Sequence, residues 1–187
     1  DPYIVKKLEE GRPEEIRNCV GASYCINRLY LGQEALCIQN PATGREETIP
    51  HVIIKSLAAA KKVVVVGGGP GGMEAARVCA ERGHDVVLFE AAHELGGQVN
   101  LAARAISRRR DLIGIVDWLA GSLERLGVDI RLNVYADATT VRVEQPDLVV
   151  VATGGMPNTG FLEHGEHLVD STWDVIAGSV RPTGRVI

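Results

Sequence analysis

Aromatic residues are scarce: Phe, Trp and Tyr make up 4% of the 187 residues, against a hydrophobic share of 45%. A core sufficient for one full domain plus an appendage must therefore be built from Val, Ile, Leu and Ala. The 21 glycines bring backbone turns close to that core, a composition that suits an α/β sheet. No apolar run approaches the ~18 to 20 residues a bilayer crossing needs, and the opening "DPYIVKKLEEGRPEE" lacks the apolar centre of a signal peptide. The expectation is a soluble, cytoplasmic protein with no membrane partner. Positive charge is concentrated nowhere and the net charge is -4, which removes nucleic acid from the expected partners. Cysteine is limited to four residues, and in a reducing compartment thiols serve as metal ligands or small buried groups rather than disulfides. Internal repeats and low-complexity tracts are missing too.

What is present falls into two parts, 1–60 and 61–187. In the first, "DPYIVKKLEEG" predicts a short helix stopped by Gly11, and Pro13 opens another turn with Glu14 and Glu15 at its start. A cysteine-bearing stretch follows, then the turn-rich "CIQNPATGREET" and a crossing linker up to Lys61 and Lys62. In the second part, Val63 to Val66 is a continuous β-branched run, as expected of a parallel strand buried on both faces. Helical spacing runs from Pro70 through Arg82 to Gly83, and "DVVLFE" is a second strand. "RDLIGIVDWLAGSLERLG" is a long amphipathic helix stopped at Gly127, and "VDIRLNV" and "PDLVVVATG" are further strands. A short helix is predicted over Trp173 to Ile176. Cys79 shares a helix face with Ala76 and Ala80 and reads as core packing.

The stretch "VVVVGGGPGGMEAA" places Gly67, Gly69 and Gly72 in G-x-G-x-x-G order, directly after a strand and directly before a helix. The first glycine permits the tight turn, the second lets backbone approach a pyrophosphate, and the third lets helix and strand pack closely. The helix N-terminus, with Pro70 and Gly71, then offers free N–H groups to the anion. Glu90 closes the second strand roughly 20 residues on, where a carboxylate can bond ribose hydroxyls; its charge repels a 2′-phosphate, so NADP is not expected at this site. Two later features point from NAD towards FAD or ADP. Gly96 and Gly97 in "EAAHELGGQ" allow close backbone approach near the pyrophosphate, and "PDLVVVATGG" ends a buried strand in a small-residue turn. Together these features resemble the two-dinucleotide-binding flavoproteins. The resemblance implies a nucleotide set of Gly67, Gly69, Pro70, Gly71, Gly72 and Glu90, joined by Gly96, Gly97, Gln98, Ala136, Ala152, Thr153 and Gly154.

Cys19, Cys25 and Cys37 match no common zinc spacing. However, "DPYIVKKLEEGRPEEIRNCVGASYC" followed by "CIQNPATGREE" and then the phosphate loop resembles the NADH:flavin oxidoreductases related to 2,4-dienoyl-CoA reductase and trimethylamine dehydrogenase. The likeness runs over essentially the whole chain and is nearest to the amine-demethylating branch, such as N-methylproline or dimethylglycine demethylases. It implies a Rossmann-like FAD/NAD(P)-binding three-layer α/β domain preceded by a small helical and loop iron–sulfur segment. It further implies an N-terminal FMN-binding TIM barrel and an NAD(P)-binding insert outside this chain, so the sequence is expected to be a piece of a larger protein. The terminal "GRVI" reads as the start of another strand, where that insert would open.

In that family four cysteines bind a [4Fe-4S] cluster. Cys19, Cys25 and Cys37 fall on three of them and Ala22 on the fourth, where a methyl group coordinates nothing. Three outcomes stay open: a [3Fe-4S] cluster, a [4Fe-4S] cluster with water or another ligand on one iron, or no cluster. The implied partners are NAD(P)H or an electron-transfer protein; whether the parent is a homo-oligomer, the direction of electron flow and the amine or enoyl substrate stay open. No catalytic acid, base or nucleophile is assigned within the chain, which is expected to bind nucleotide without turnover by itself. The competing reading makes the Rossmann unit a structural ADP-binding module with no redox role; Gln98 in the "GGQ" turn favours FAD. "RRR" at Arg108 to Arg110 reads as a solvated helix start, His164 and His167 as residues of a polar loop, and Tyr24 as packing near the thiols.

Overall fold

The structure, a computed structural model, describes residues 1–105, 109–158 and 160–184. The strand expected at "GRVI" and Arg108 lie outside the described residues. Four parallel strands, β1 (Lys62–Val66), β2 (Asp85–Phe89), β3 (Asp129–Arg131) and β4 (Leu148–Val151), form one sheet in the order β3-β2-β1-β4. Seven helices surround it among the described residues: α1 (Ile4–Glu9), α2 (Tyr24–Tyr30), α3 (Pro70–Glu81), α4 (Gln98–Arg104), α5 (Arg109–Arg125), α6 (Ala138–Val143) and α7 (Thr172–Ala177).

The alternation of side chains along β1 explains the layers. Val63 and Val65 point to the face covered by α3 and α5, where Met73, Ala76, Leu88, Leu119 and Leu123 are fully or almost fully buried. Val64 points to the other face with Val87 and Phe89, under Val134, Ala136 and Val141 of the α6 side. A run of four valines is thus consumed by two cores at once, which is why it carries no polar alternation. Cys79 packs against the first core, as its helix face predicts, and burial pushes its thiol pKa up. The third layer is thin: along β4, Val149 and Val151 remain 41% and 73% exposed.

The chain runs β1-α3-β2 to one side of β1 and then returns through α6 to lay β4 on its other side. The order reverses between β1 and β4, and a doubly wound sheet opens its ligand crevice at the carboxyl ends of strands where this happens. Helix ends fall where the residues demand. Gly83 and Gly127 take φ of 88° and 69° after α3 and α5, as their positions in the sequence predict.

Four elements differ from expectation, the first being β4, which lies largely exposed at the sheet edge where a buried strand is expected. The strand predicted over "VDIRLNV" pairs only through Asp129–Arg131, because Asn133 turns at φ 58° and the N–H groups of Asn133 and Val134 go to Ala92 O and Glu90 O. Helix α4 begins immediately at Gln98, where only a turn was read. Helix α6 starts from Asp137, whose carboxylate accepts the Thr140 N–H at 2.7 Å and is held below the usual carboxylate range by that bond.

Residues 1–60 hold α1, a 3-10 turn over Pro13–Glu15, α2 and loops. They dock on α3 and α5: Trp118 Nε1 donates to Glu15 O at 3.1 Å, Arg17 pairs with Glu74, and Val20 approaches Gly114.

Candidate functional site: a glycine-rich bend at the sheet switch point

The G-x-G-x-x-G bend sits at the carboxyl end of β1, with β2 on one side and β4 on the other. Gly67 donates its N–H to Phe89 O, and Ala152 donates its N–H to Val66 O, each at 2.8 Å, so the bend is pinned to both neighbours. Gly67 has φ of 108°, and a Cβ there would lie 2.4 Å from Ala152 O; a side chain is excluded by backbone conformation and by contact. Gly72 has the tightest contact of the group: its Cβ would lie 1.9 Å from Gly67 O, so only glycine lets α3 start this close to β1. At Gly69 and Gly71, by contrast, a Cβ would meet nothing within 4 Å. Open space over these two backbone positions, at the first turn of α3, is what an approaching diphosphate requires.

Glu90 points at the bend. Its Oε2 accepts the Gly68 N–H at 2.6 Å and its Oε1 accepts the Ala92 N–H at 2.7 Å. Each oxygen keeps acceptor capacity for a ribose hydroxyl, since a carboxylate offers about four lone-pair sites. The third wall is the turn before α4. Gly96 donates to Gly68 O at 2.8 Å, and a Cβ on Gly97 would be 3.1 Å from Gly69 Cα. From α4, Gln98 Nε2 donates to Gly155 O at 3.0 Å, tying this turn to the one after β4, where Thr153 and Gly154 are exposed. The structure thus brings the bend, Glu90, the Gly96–Gln98 turn and the Ala152–Gly155 turn into contact with one another. Ala136 packs on the second sheet face with Phe89, Val66 and Val141.

The thiols form a less compact set. Cys19 is exposed and Cys25 and Cys37 are half-buried; all are free. Cys19 Sγ accepts the Gly21 N–H and Cys37 Sγ the Gln39 N–H, both at 3.4 Å. Cys19 and Cys37 line one cavity of about 850 Å³, whereas Cys25 sits in α2. Among the described residues no group of three or more His, Cys, Asp or Glu is placed to hold a metal ion. As placed among the described residues, the thiols do not gather around a common centre. Ala22, at the fourth position, is exposed. Tyr24 is also half-open and carries Arg28 over its ring at 5.6 Å.

Sequence reasoning missed the polar layer under these loops. Arg17, Gln39, Glu74, Arg77 and Trp118 form a connected network between the first sixty residues and α3, described below. Gln39 was legible only as part of a motif, and nothing in its neighbours announced that it would be buried.

Comparison with known proteins agrees with this geometry. Residues 62–126, which hold the bend, Glu90, the Gly96–Gln98 turn and α5, match the family model of the FAD dependent oxidoreductases. The chain is 52% identical over its whole length to the Rhizobium meliloti (strain 1021) protein named "Probable N-methylproline demethylase", and 51% identical to an N,N-dimethylglycine/sarcosine dehydrogenase of Chromohalobacter salexigens. It spans 27% and 28% of those two proteins. Among solved structures, a 2-naphthoyl-CoA reductase superposes on 97% of this chain with a TM-score of 0.87 and 35% identity, over 27% of its own length. The chain is therefore similar, over its whole length, to about a quarter of these longer proteins, and the part of its parallel α/β sheet within residues 62–126 matches the FAD dependent oxidoreductase model.

Proposed function

We propose that the bend at Gly67–Gly72 binds the diphosphate of FAD, with Glu90 on the adenosine ribose, in the electron-transfer portion of a larger oxidoreductase. The observation that carries this reading is the empty approach to Gly69 and Gly71 beside a carboxylate already aimed at the bend. The chain's own residues do the binding and orienting. Backbone N–H groups of the first turn of α3 meet the phosphates, the Glu90 carboxylate accepts ribose hydroxyls, and the Gln98–Gly155 bond holds the exit of β4 against the opening. FAD, when bound there, supplies a two-electron carrier. Likeness to the demethylating relatives favours an N-methylated amine as the substrate class, oxidised at an FMN-bearing barrel elsewhere in the parent, with NAD(P)H or an electron-transfer protein exchanging electrons. ADP held for structure alone is the competing occupant; the "GGQ" turn and the family match favour FAD.

The motif alone extends the reading to an iron–sulfur cluster on Cys19, Cys25 and Cys37, against the separation of these thiols in the structure. Iron and acid-labile sulfide analysis of the anaerobically purified protein decides it, and less than one iron per chain ends it. For the nucleotide, the full-length protein is denatured and the released cofactors are separated and identified. FAD beside FMN supports the proposal. FMN with ADP and no FAD replaces it with the structural role, and FMN with no adenine nucleotide removes both.

A further inference from the structure

Gln39 is 4% exposed, and each end of its side chain has a partner. Its Oε1 accepts from Arg17 Nε at 3.2 Å, and its Nε2 donates to Asn18 O at 3.2 Å. Its backbone N–H donates to Cys37 Sγ, and Asn18 immediately precedes Cys19. One amide therefore ties the backbone just before Cys19 to the backbone just after Cys37. Arg17 carries the connection onward. Its Nη1 and Nη2 donate to the two carboxylate oxygens of Glu74 on α3 at 3.4 and 3.2 Å, and its guanidinium lies 4.3 Å above the Trp118 ring of α5. Glu74 is itself held by Arg77, which has a second carboxylate partner in Glu81 at 2.7 Å.

We propose that Arg17 and Gln39 form a clamp that mounts the Cys19 and Cys37 loops on α3 and fixes the spacing and reactivity of this thiol pair. Both are positioning residues. The loops have little regular structure to hold them, as residues 16–23 and 33–38 belong to no helix or strand. A buried amide with both ends bonded resists displacement, because moving either loop leaves a desolvated donor or acceptor without a partner. The Arg17–Glu74 pair lies on the helix whose first turn is the phosphate bend, so the bend and the thiol pair share one rigid mount. This inference goes beyond the nucleotide reading and does not depend on it.

Iodoacetamide alkylation rates of all four cysteines, resolved by peptide mass spectrometry on the reduced intact protein, test the clamp. Gln39→Leu keeps the bulk and removes both side-chain bonds. Gln39→Glu keeps the acceptor for Arg17 and loses the donor to Asn18. Glu74→Gln weakens the hold of Arg17 on α3 and leaves Arg77 with Glu81. Cys37 is expected to react about thirtyfold faster in Gln39→Leu, the factor matching two lost hydrogen bonds. Gln39→Glu should be intermediate, and Glu74→Gln also faster than wild type, while Cys25 and Cys79 stay within about twofold in every variant. A Cys37 rate unchanged in Gln39→Leu overturns the clamp, as does an equal acceleration of all four cysteines, which marks general loosening. If Gln39→Leu does not fold, an unchanged Cys37 rate in both other variants has the same force.

Discussion

Replacing Gly72 by alanine puts a methyl group where the structure has no space. The added carbon falls 1.9 Å from Gly67 O, 1.1 Å short of the 3.0 Å below which such contacts essentially never occur, and the atom it meets is backbone. Neither partner can swing aside. Gly67 is bonded to Phe89 and packed on Ala152, while α3 is wedged between β1, β2 and α5. The helix must therefore lift by about an ångström, opening the Met73 and Ala76 contacts beneath it. Overpacking of this kind costs about 3 kcal/mol, and at 2–4 °C per kcal/mol for a chain of this size the melting temperature should fall by roughly 6–12 °C. Gly71→Ala is the matched control. It meets nothing within 4 Å, so it should stabilise by up to about 1 kcal/mol while placing a methyl group in the phosphate approach. Thermal melts and ADP calorimetry on both variants separate the effects: Gly72→Ala loses stability and binding, Gly71→Ala loses binding alone. A Gly72→Ala protein melting within about 2 °C of wild type with unchanged ADP affinity would refute the reasoning.

Other perturbations test separate parts. Glu90→Ala leaves the buried Gly68 N–H without its acceptor, which should cost about 1–3 kcal/mol in urea denaturation and abolish ADP binding. Leu123→Ala, at a fully buried position of the first core, should cost about 2–5 kcal/mol, whereas Leu126→Ala, 37% exposed, should cost under about 0.5. Burial alone would raise the Glu74 pKa, but hydrogen bonds and charge from Arg77 and Arg17 outweigh it and hold the group below its ordinary 4.5. A depressed acid contributes stability that is complete above its unfolded value and is lost as pH falls through the folded one. Stability measured against pH should therefore decline below about 4.5, with a shallower decline in Glu74→Gln. Val149 and Val151 leave β4 apolar at the sheet edge, so the 187-residue chain should self-associate with rising concentration. Val151→Lys should suppress that association in sedimentation, and a wild-type chain monomeric at high concentration contradicts the expectation.

The parts of the fold that were legible in the sequence are those whose signal is local. Val63 to Val66, the Gly67–Gly72 bend, Glu90 and the long amphipathic helix each announce themselves within a dozen residues, and all fall where expected. The glycines were legible for the same reason: positive φ and close approach leave no other residue type available. Helix α6 was overlooked although Asp137 and Thr140 carry its cap, because it is only six residues long and most of them are β-branched. The last residues expected of β3 failed for a non-local reason, since the N–H groups of Asn133 and Val134 are claimed by the loop after β2. The Arg17–Gln39–Glu74 layer was invisible for the same cause. Arg17 and Glu74 are 57 positions apart, and no pattern around either one identifies the other.

The pairing of β1 with β4 has a consequence for how the molecule is made. Lys62 and its partner Asp147 are separated by 85 positions, and Gly67 closes against Ala152. A ribosome must therefore deliver the chain as far as Ala152 before the bend acquires its second wall. Until then β1 presents an unmated valine edge, and a nascent chain stalled within α5 or α6 should be the species most in need of a chaperone.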